Sequence, residues 1–566
     1  MHSWASTRSS ARSRAAALAR RRPTNDDLQK LLTPTALYRD FLDDPARVRE
    51  FYPSDFRNLA AVAAKASARD FPAPRRAKVA AVLRKQAERF EFLDLSRESL
   101  AKFERPNSIA VVAGQQPGLF GGPLYTLYKA LTAIGFAREL ERVSGVPAVP
   151  IFWIASDDHD FEEVRRAYLN NGTAEPTAVE YPTDLAPRGV SVSRITFGPA
   201  VEAAVRGAES FLPVSEYRDE LLARLRRAYA PGRGWSEAFA RFLGRIAATE
   251  GALVFDASDE EAKEIAMPVF EREIALRGKS SEAAKERGEA LAARGYHAQI
   301  ARAGNELNLF YHGREREAVR VHGAGFRLAT SSQELTESKL LALIRNHPAD
   351  VSPGVLLRPL MQDYLFPTAA YVGGPAEVAY WAQVHALYPL FDAEPPAVVP
   401  RAGATLLEPK VAKALGRFHL EWPDLSGDVE AVIGKALRAL LPEDFPALFE
   451  RERGVIRDAF GRIEKAVLGF DPSLQSAVET SANKTQHESE VLEKKLMQVW
   501  KRRQEESVLQ IRRARGHLFP HGGLQERSLS LLGYAARYGP GLTERLRGSL
   551  GAPGSHVLVS LGGDSG

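Results

Sequence analysis

Three carboxylates and an imidazole fall within the five residues Ser156-Asp157-Asp158-His159-Asp160, directly after the apolar run Ala148 to Ala155. Aspartate oxygens and a histidine nitrogen suit Mg, Mn or Zn, so the cluster can be read as a divalent-metal site. It can equally be read as an acid/base site, with His159 carrying the proton and an adjacent carboxylate fixing its tautomer and raising its pKa. The plainer alternative is a capping turn, because Asp157 or Asp158 could cap a helix beginning near Phe161. Three acids beside His159 at the carboxyl end of a buried strand favour chemistry, since open α/β sheets bind ligands there.

Three other segments carry residues of the same kind. Gly114-Gln115-Gln116-Pro117-Gly118-Leu119-Phe120-Gly121-Gly122-Pro123-Leu124-Tyr125 runs from a strand through a glycine-rich loop into a helix. The glycines let backbone N–H groups approach a ligand, Pro123 suits a first helical turn, and a helix N-terminus favours anions. The loop has neither the Gly-Lys-Ser/Thr of a Walker loop nor the GxGxxG fingerprint. On the residues alone, a ligand loop and a purely structural turn stand level. Gly373-Gly374-Pro375 repeats the arrangement after the strand Thr368 to Val372, as a second side of one cleft. Before it, Arg358 offers a fork for carboxylate or phosphate, and Gln362 and Asp363 offer amide and acid groups. Trp381 reads as core, whereas Tyr380 fits core or ligand stacking. Phe519 to Arg527 brings the C-terminus back to the core, or is a solvated turn and cap.

Apolar periodicity supplies the elements that must position these groups. Ile109 to Ala113, Ala148 to Ala155 and Ala252 to Asp256 are continuous apolar runs of strands buried on both faces. Leu127, Leu131, Ile134 and Leu140 mark a crossover helix over Leu124 to Glu141, interrupted by Lys129 and Arg138. A helical region from Leu28 to Leu100 precedes the first strand. Short alternating segments are expected at Thr177 to Tyr181, Ser191 to Phe197, Leu307 to Tyr311 and Ala318 to Arg327, with helices over 199–250 and from Glu260 to Arg294. The alternation predicts an α/β fold: a Rossmann-like parallel sheet core over 25–425 with helical and small β insertions at about 199–250 and 260–330. Ile456, Phe460, Ile463 and Val467 form a helix–helix seam, Asp471-Pro472-Ser473 a turn, and Leu474 to Arg513 a second, charged helix about 60 Å long. This long antiparallel coiled-coil arm, 430–515, has polar seam positions at Ser481, Thr485 and Glu488, so it is expected to pack on a second copy. Residues 516–566 form a C-terminal segment returning to the core.

Composition narrows the function classes. A chain of 566 residues exceeds one ordinary core, and its net charge of +5 is interleaved with acids, so nothing calls for a nucleic-acid partner. No window reaches a membrane span. The absence of cysteine excludes disulfides, thiolate zinc sites and a cysteine nucleophile. Residues 1–24, rich in Arg and Ser, read as a disordered tail or a misplaced start rather than a transit peptide.

Together, residues 114–129 (GQQPGLFGGPLYTLYK), 152–160 (FWIASDDHD), 371–381 (YVGGPAEVAYW) and 519–527 (FPHGGLQER) resemble the cysteine-adding enzymes of bacillithiol synthesis. The resemblance spans nearly the whole chain in order; the arginine-rich extension and the tail beyond about Gly541 depart from it. It implies a Rossmann-like core with a dimerising coiled coil, and a cytoplasmic ligase joining L-cysteine to glucosaminyl-malate through an amide bond. ATP and Mg are the simplest means of activating the cysteine carboxylate, although the HIGH and KMSKS signatures are missing; no tightly bound cofactor is expected, and a metal site is unassigned. On this reading His159, Asp158 and Asp160 are catalytic, with His159 the acid/base group. Asp157, Asp158 and Asp160 hold metal or the amine, Gln115 and Gln116 orient substrate, and Arg358 neutralises an anion. The substrate-binding set is Gly114, Gln115, Gln116, Tyr125, Asp157, Arg358, Gln362, Gly373, Gly374, Glu377 and Tyr380. The rival readings are a metal-dependent hydrolase built on Asp157-Asp158-His159-Asp160 and a non-catalytic coiled-coil scaffold.

Overall fold

Five buried parallel strands build the centre of the computed structural model, which describes residues 26–562 except 183, 185–188, 302–303 and 442–443. They are β1 (Ile109–Gln115), β2 (Ala148–Ile154), β3 (Leu253–Asp256), β4 (Thr368–Gly373) and β5 (Ala397–Pro400), in the order β5-β4-β1-β2-β3. The arginine-rich tail expected over 1–24 lies outside the described residues. β5 follows the Gly-Gly-Pro helix and is a strand the periodicity reading missed. Every strand residue except Gln115 is buried, as their unbroken apolar sequences require.

The order contains a switch. From β1 the chain crosses to β2 on one side through α1 (Leu124–Ser144), whereas β4 enters on the other side of β1. The crevice between the carboxyl ends of β1 and β4 is therefore the expected ligand position of such a sheet. α1 is buried almost all round and stops at Gly145, a left-handed cap with φ 70°. Two helices begin at the far rim: α2 (Arg358–Leu365), leading into β4, and α3 (Pro375–Val384), leaving it.

Two insertions cover the strand ends. The first has its own aromatic core, where Trp235 lies 4.6 Å from Phe197 and Tyr229 meets Phe120 edge-on at 4.9 Å. Ser191 to Phe197 is not the strand expected: residues 192–194 form a 3-10 turn. Its amides are committed to the acidic segment, Val192 N–H donating to Asp158 O at 2.8 Å and Ser193 N–H to Ser156 O at 2.9 Å, so the turn straps the acidic cluster instead of joining a ladder. The second insertion is a run of helices followed by an antiparallel sheet extending to residue 353, beyond the expected limit of 330. Its edge strands, Glu334–Leu335 and Val351–Pro353, are too short to show alternation.

The C-terminal arm is a helical hairpin of α4 (Asp444–Phe470) and α5 (Gln475–Arg503), turned by Asp471, whose carboxylate accepts from Ser473 N. Arg453 donates to Glu493 across it at 2.6 Å. The single charged helix expected to run to Arg513 is broken at Gln504. Beyond the break, α6 (Glu505–Leu518) buries Ile511, Ala514 and Leu518 in a third core at the base of the arm. The chain then returns to the main body, where β6 (Gly403–Leu407) and β7 (His556–Ser560) pair in parallel. Among the described residues no helix is long and apolar enough to cross a membrane.

Candidate active site

A cleft of about 740 Å³ opens at the switch point. Of the sequence-selected residues, Gly114, Gln115, Gln116, Tyr125, Asp157, Asp158, His159, Arg358, Gly374, Glu377 and Tyr380 line it together. Asp160, Gln362 and Gly373 stand behind it. Asp160 faces outward and caps the short helix Phe161–Val164, accepting from Glu163 N at 3.2 Å. Gln362 is fully buried and accepts from Arg358 at 3.2 Å, so it aims that guanidinium. A Cβ at Gly373 would stand 3.0 Å from the Cβ of Glu377, which explains the glycine by packing.

The acidic cluster divides rather than converging. Asp157 turns inward to Lys263, 2.9 Å away and buried; burial raises the Asp157 pKa and the Lys263 charge pulls it back. Asp158 faces the cleft. Burial raises its pKa, but hydrogen bonds from His159 and from Gln116, at 2.5 Å, together with the Arg316 charge, outweigh that and hold it at about 2. His159, half exposed, places Nδ1 3.3 Å from Asp158 and 3.5 Å from Arg316. Glu163 completes this edge, its pKa raised by partial burial and by its acidic neighbours. Among the described residues no three His, Asp or Glu side chains are placed to share a metal ion. The proposed Asp157-Asp158-His159-Asp160 metal cage thus loses two of its four members, one to Lys263 and one to a helix cap.

The glycine-rich loop also departs from expectation. Gly114, Gln115 and Gln116 reach the cleft, but Gly118, Gly121 and Gly122 do not. Their amides are already used: Gly118 N donates to Gln116 O, Gly122 N to Leu119 O, and Gly121 N to both Gly118 O and the Tyr229 hydroxyl. Trp235 Nε1 donates to Pro117 O at 2.6 Å. A Cβ on Gly118 would lie 2.7 Å from the Gly122 Cα, so the glycines permit a tight turn docked on the first insertion. The structural alternative holds for this half of the loop.

Much of the remaining lining is cationic, and most of it escaped the sequence reading. Lys129, seen in the sequence as an interruption of an apolar helix and the last residue of the 114–129 motif but given no role, donates to Gly114 O at 2.9 Å and Gln115 Oε1 at 2.8 Å. It also pairs with Glu377, which accepts from Tyr371 and from Gly374 N. Burial lowers the Lys129 pKa while Glu377 draws it back up; the same partner keeps the Glu377 pKa low despite its own burial. Arg316, from the inserted sheet, lies over the Phe310 ring and donates to Ser352 and Pro353. Arg401, just past β5, pairs with buried Glu526 at 2.5 Å, and the adjacent Arg527 reaches the cleft. Position at the end of a strand would have flagged Arg401 had β5 been recognised, and Arg527 belongs to a motif already singled out. Arg316 carried no local signal.

Behind Arg316, buried His312 accepts from Ser352 at Nε2 (2.7 Å) and meets Ser191 at Nδ1 (3.2 Å). Burial and the surrounding cations push its pKa down to about 2, so this imidazole is neutral. Since Ser191 spends its proton on Asp157 O, Nδ1 of His312 carries the ring proton.

The arrangement is a crevice with an ionised carboxylate and an imidazole at one edge, Arg316 beside them, and further cations along the rest of its wall. Comparison with known proteins gives the family. Residues 26–402 match the family model described as the N-terminal Rossmann-like domain of bacillithiol biosynthesis BshC, and residues 404–559 match its C-terminal coiled-coil domain. The second match runs through the tail beyond Gly541, which is therefore not a departure from the family. Relatives named "Putative cysteine ligase BshC" include one from Salinibacter ruber, 34% identical over 93% of this chain and 96% of its own length. Another, from Koribacter versatilis, is 32% identical over 93% and 97%, and one from Geobacillus thermodenitrificans 33% over 84% and 88%. On the extent of these matches, the chain belongs to the bacillithiol biosynthesis BshC family.

Proposed function

We propose that this cleft joins the carboxyl group of L-cysteine to the amine of glucosaminyl-malate, forming an amide bond in bacillithiol synthesis. The observation that carries the reading is the division of charge across one crevice. Asp158, ionised throughout the physiological range, and Glu163 suit an incoming ammonium group, whereas Arg358 and Arg527, with the ion-paired Lys129 and Arg401 beside them, suit carboxylates. His159 stands beside Asp158, in reach of an amine held there, and can take the proton that the nitrogen must lose before it attacks. Holding both reactants in this crevice supplies the proximity that amide formation in water lacks.

A carboxylate does not condense spontaneously with an amine, so an activating group is required. The cationic lining fits the phosphates of a nucleotide, on which a Mg ion would be carried largely by phosphate oxygens and water. Such a nucleotide would supply a phosphoryl or adenylyl group that turns the carboxyl oxygen into a leaving group. The protein's own part is to bind, orient and deprotonate.

Two further readings accompany this one. The arm exposes Val455, Ile463, Phe470, Leu492 and Val499, an apolar series that a second copy would cover, and this supports reading the enzyme as a homodimer. The likeness to bacillithiol biosynthesis ligases supports reading it as a cytoplasmic enzyme. The decisive test is to incubate the protein with glucosaminyl-malate and L-cysteine, with and without ATP-Mg, and to seek bacillithiol by mass spectrometry. Product that disappears in His159→Ala supports the assignment; no product from folded enzyme under either condition overturns it.

A further inference from the structure

Among the described residues, two buried polar atoms of the cleft-lining residues have no hydrogen-bond partner, Asp157 Oδ2 and Trp153 Nε1, and only the second is a donor. Trp153 is fully buried on β2 and lines the cleft, yet among the described residues its indole Nε1–H meets no acceptor. Leaving a buried donor unsatisfied costs about 1–3 kcal/mol. The Trp153 indole therefore awaits an acceptor that the protein itself does not provide.

The register places a guanidinium on the same face. Trp153 pairs with Gly114 on β1, and Tyr371 on β4 pairs with Val112, two residues back, so all four residues face one way. Arg358 lies 5.1 Å over the Tyr371 ring and donates to Tyr380 and Gln362, both neutral. Among the described residues, no carboxylate lies within ion-pairing distance of it, in contrast to Lys129, Lys263 and Arg401 nearby. Between Trp153 and Tyr371, Gly114 contributes no side chain, which leaves a gap in the wall. Ala155, Ala257, Phe310 and Val355 line the cleft as well and give it an apolar flank.

An unpaired guanidinium and an orphan N–H on one face call for a ligand with at least two acceptor oxygens. We propose that Arg358 and Trp153 Nε1, flanking the gap at Gly114, bind the carboxylate of the amino-acid substrate. The apolar flank takes its short, uncharged side chain. This assignment rests on the ligase reading. It divides the labour within the cleft: the amino acid is held at the β1/β4 crevice, and the amine nucleophile comes from the Asp158 edge.

Equilibrium binding by calorimetry tests it, with L-cysteine, cysteamine (the same thiol and amine without the carboxylate), inorganic phosphate and L-malate as probes. L-cysteine should bind and cysteamine should bind at least tenfold more weakly. Trp153→Phe keeps the ring and removes only the N–H, and should weaken L-cysteine about fivefold. Arg358→Met should weaken it by about 10–100-fold. Gly114→Ala, whose added methyl would make only ordinary contacts at 3.5–3.6 Å, keeps the sheet intact and should also weaken L-cysteine. Equal binding of cysteamine, or unchanged L-cysteine affinity in folded Trp153→Phe and Arg358→Met, overturns the subsite. So does a dependence on Arg358 and Trp153 shown by phosphate or malate but not by L-cysteine, which would give the pair to a different anion. The two readings fail separately. Carboxylate-dependent L-cysteine binding without bacillithiol formation removes the ligase and leaves the subsite, whereas product formation undiminished in both variants does the reverse.

Discussion

Replacing Lys129 with methionine should destabilise the protein severely, and also replacing Glu377 with glutamine should recover much of the loss. The Lys129 ammonium is almost entirely enclosed and serves three acceptors: Gly114 O, Gln115 Oε1 and the Glu377 carboxylate. Methionine fills the space but leaves Glu377 as a largely buried charge retaining only Tyr371 and Gly374 N as donors. Removing one partner of such a pair costs about 3–5 kcal/mol, whereas removing both charges together costs far less than the sum. The double variant should thus lie about 2 kcal/mol or more above additivity. Thermal and urea unfolding of wild type, both single variants and the double closes the cycle. Additivity within about 0.5 kcal/mol would refute the reasoning, because it would mean that Lys129 and Glu377 do not hold each other in the fold. L-cysteine affinity in the stabilised double variant then separates structure from ligand contact, since Gln115 loses its strut even where stability returns.

His312→Gln tests the neutral imidazole. With a folded pKa near 2 and an unfolded one near 6.5, the unfolded chain takes up the proton first. Stability from this group is therefore full above about pH 6.5 and falls by about 1.4 kcal/mol per unit below it, and the variant should show a shallower loss between pH 7 and 5 in urea melts; parallel profiles would count against a buried neutral His312. Gly118→Ala should destabilise by about 1–3 kcal/mol through its 2.7 Å approach to Gly122 while leaving substrate KM unchanged; a selective rise in KM would restore the loop as a ligand cradle. Glutamate at Val455, Ile463 and Leu492 together should convert a dimer to a monomer in sedimentation, and a wild type already monomeric at micromolar concentration would contradict the covered arm.

The buried parallel strands were legible because a strand enclosed on both faces must be apolar throughout, and Ala148 to Ile154 has no other reading. Gly373-Gly374-Pro375 gave the second side of the cleft because it repeats the glycine, proline and helix-start arrangement of Gly121-Gly122-Pro123 after another strand. The glycine-rich loop was ambiguous because left-handed backbone serves an anion cradle and a tight turn alike. What decided it, the hydroxyl of Tyr229 and the indole of Trp235, lies more than a hundred residues downstream. Asp157 and Asp160 could not be separated from Asp158 by spacing, since Lys263 and the cap of a four-residue helix are tertiary and local facts respectively. The cationic lining was hidden because Arg316, Arg401 and Arg527 come from three remote elements. The break at Gln504 has neither glycine nor proline to mark it; it reflects where α6 begins to bury its own face.

The central strand imposes a timetable on synthesis. β1 gains β2 within about forty residues, but its other neighbour, β4, begins roughly 260 residues later. At 5–20 residues per second the nascent chain carries an apolar strand with one unpaired edge for roughly 10–50 s. The rim of the cleft closes later still, when the segment carrying Glu526 and Arg527 emerges after the arm and Arg401 acquires its counterion. A truncated product ending before the arm would therefore hold most of the substrate crevice beside an uncompensated guanidinium, and such fragments are natural clients for chaperones and proteases.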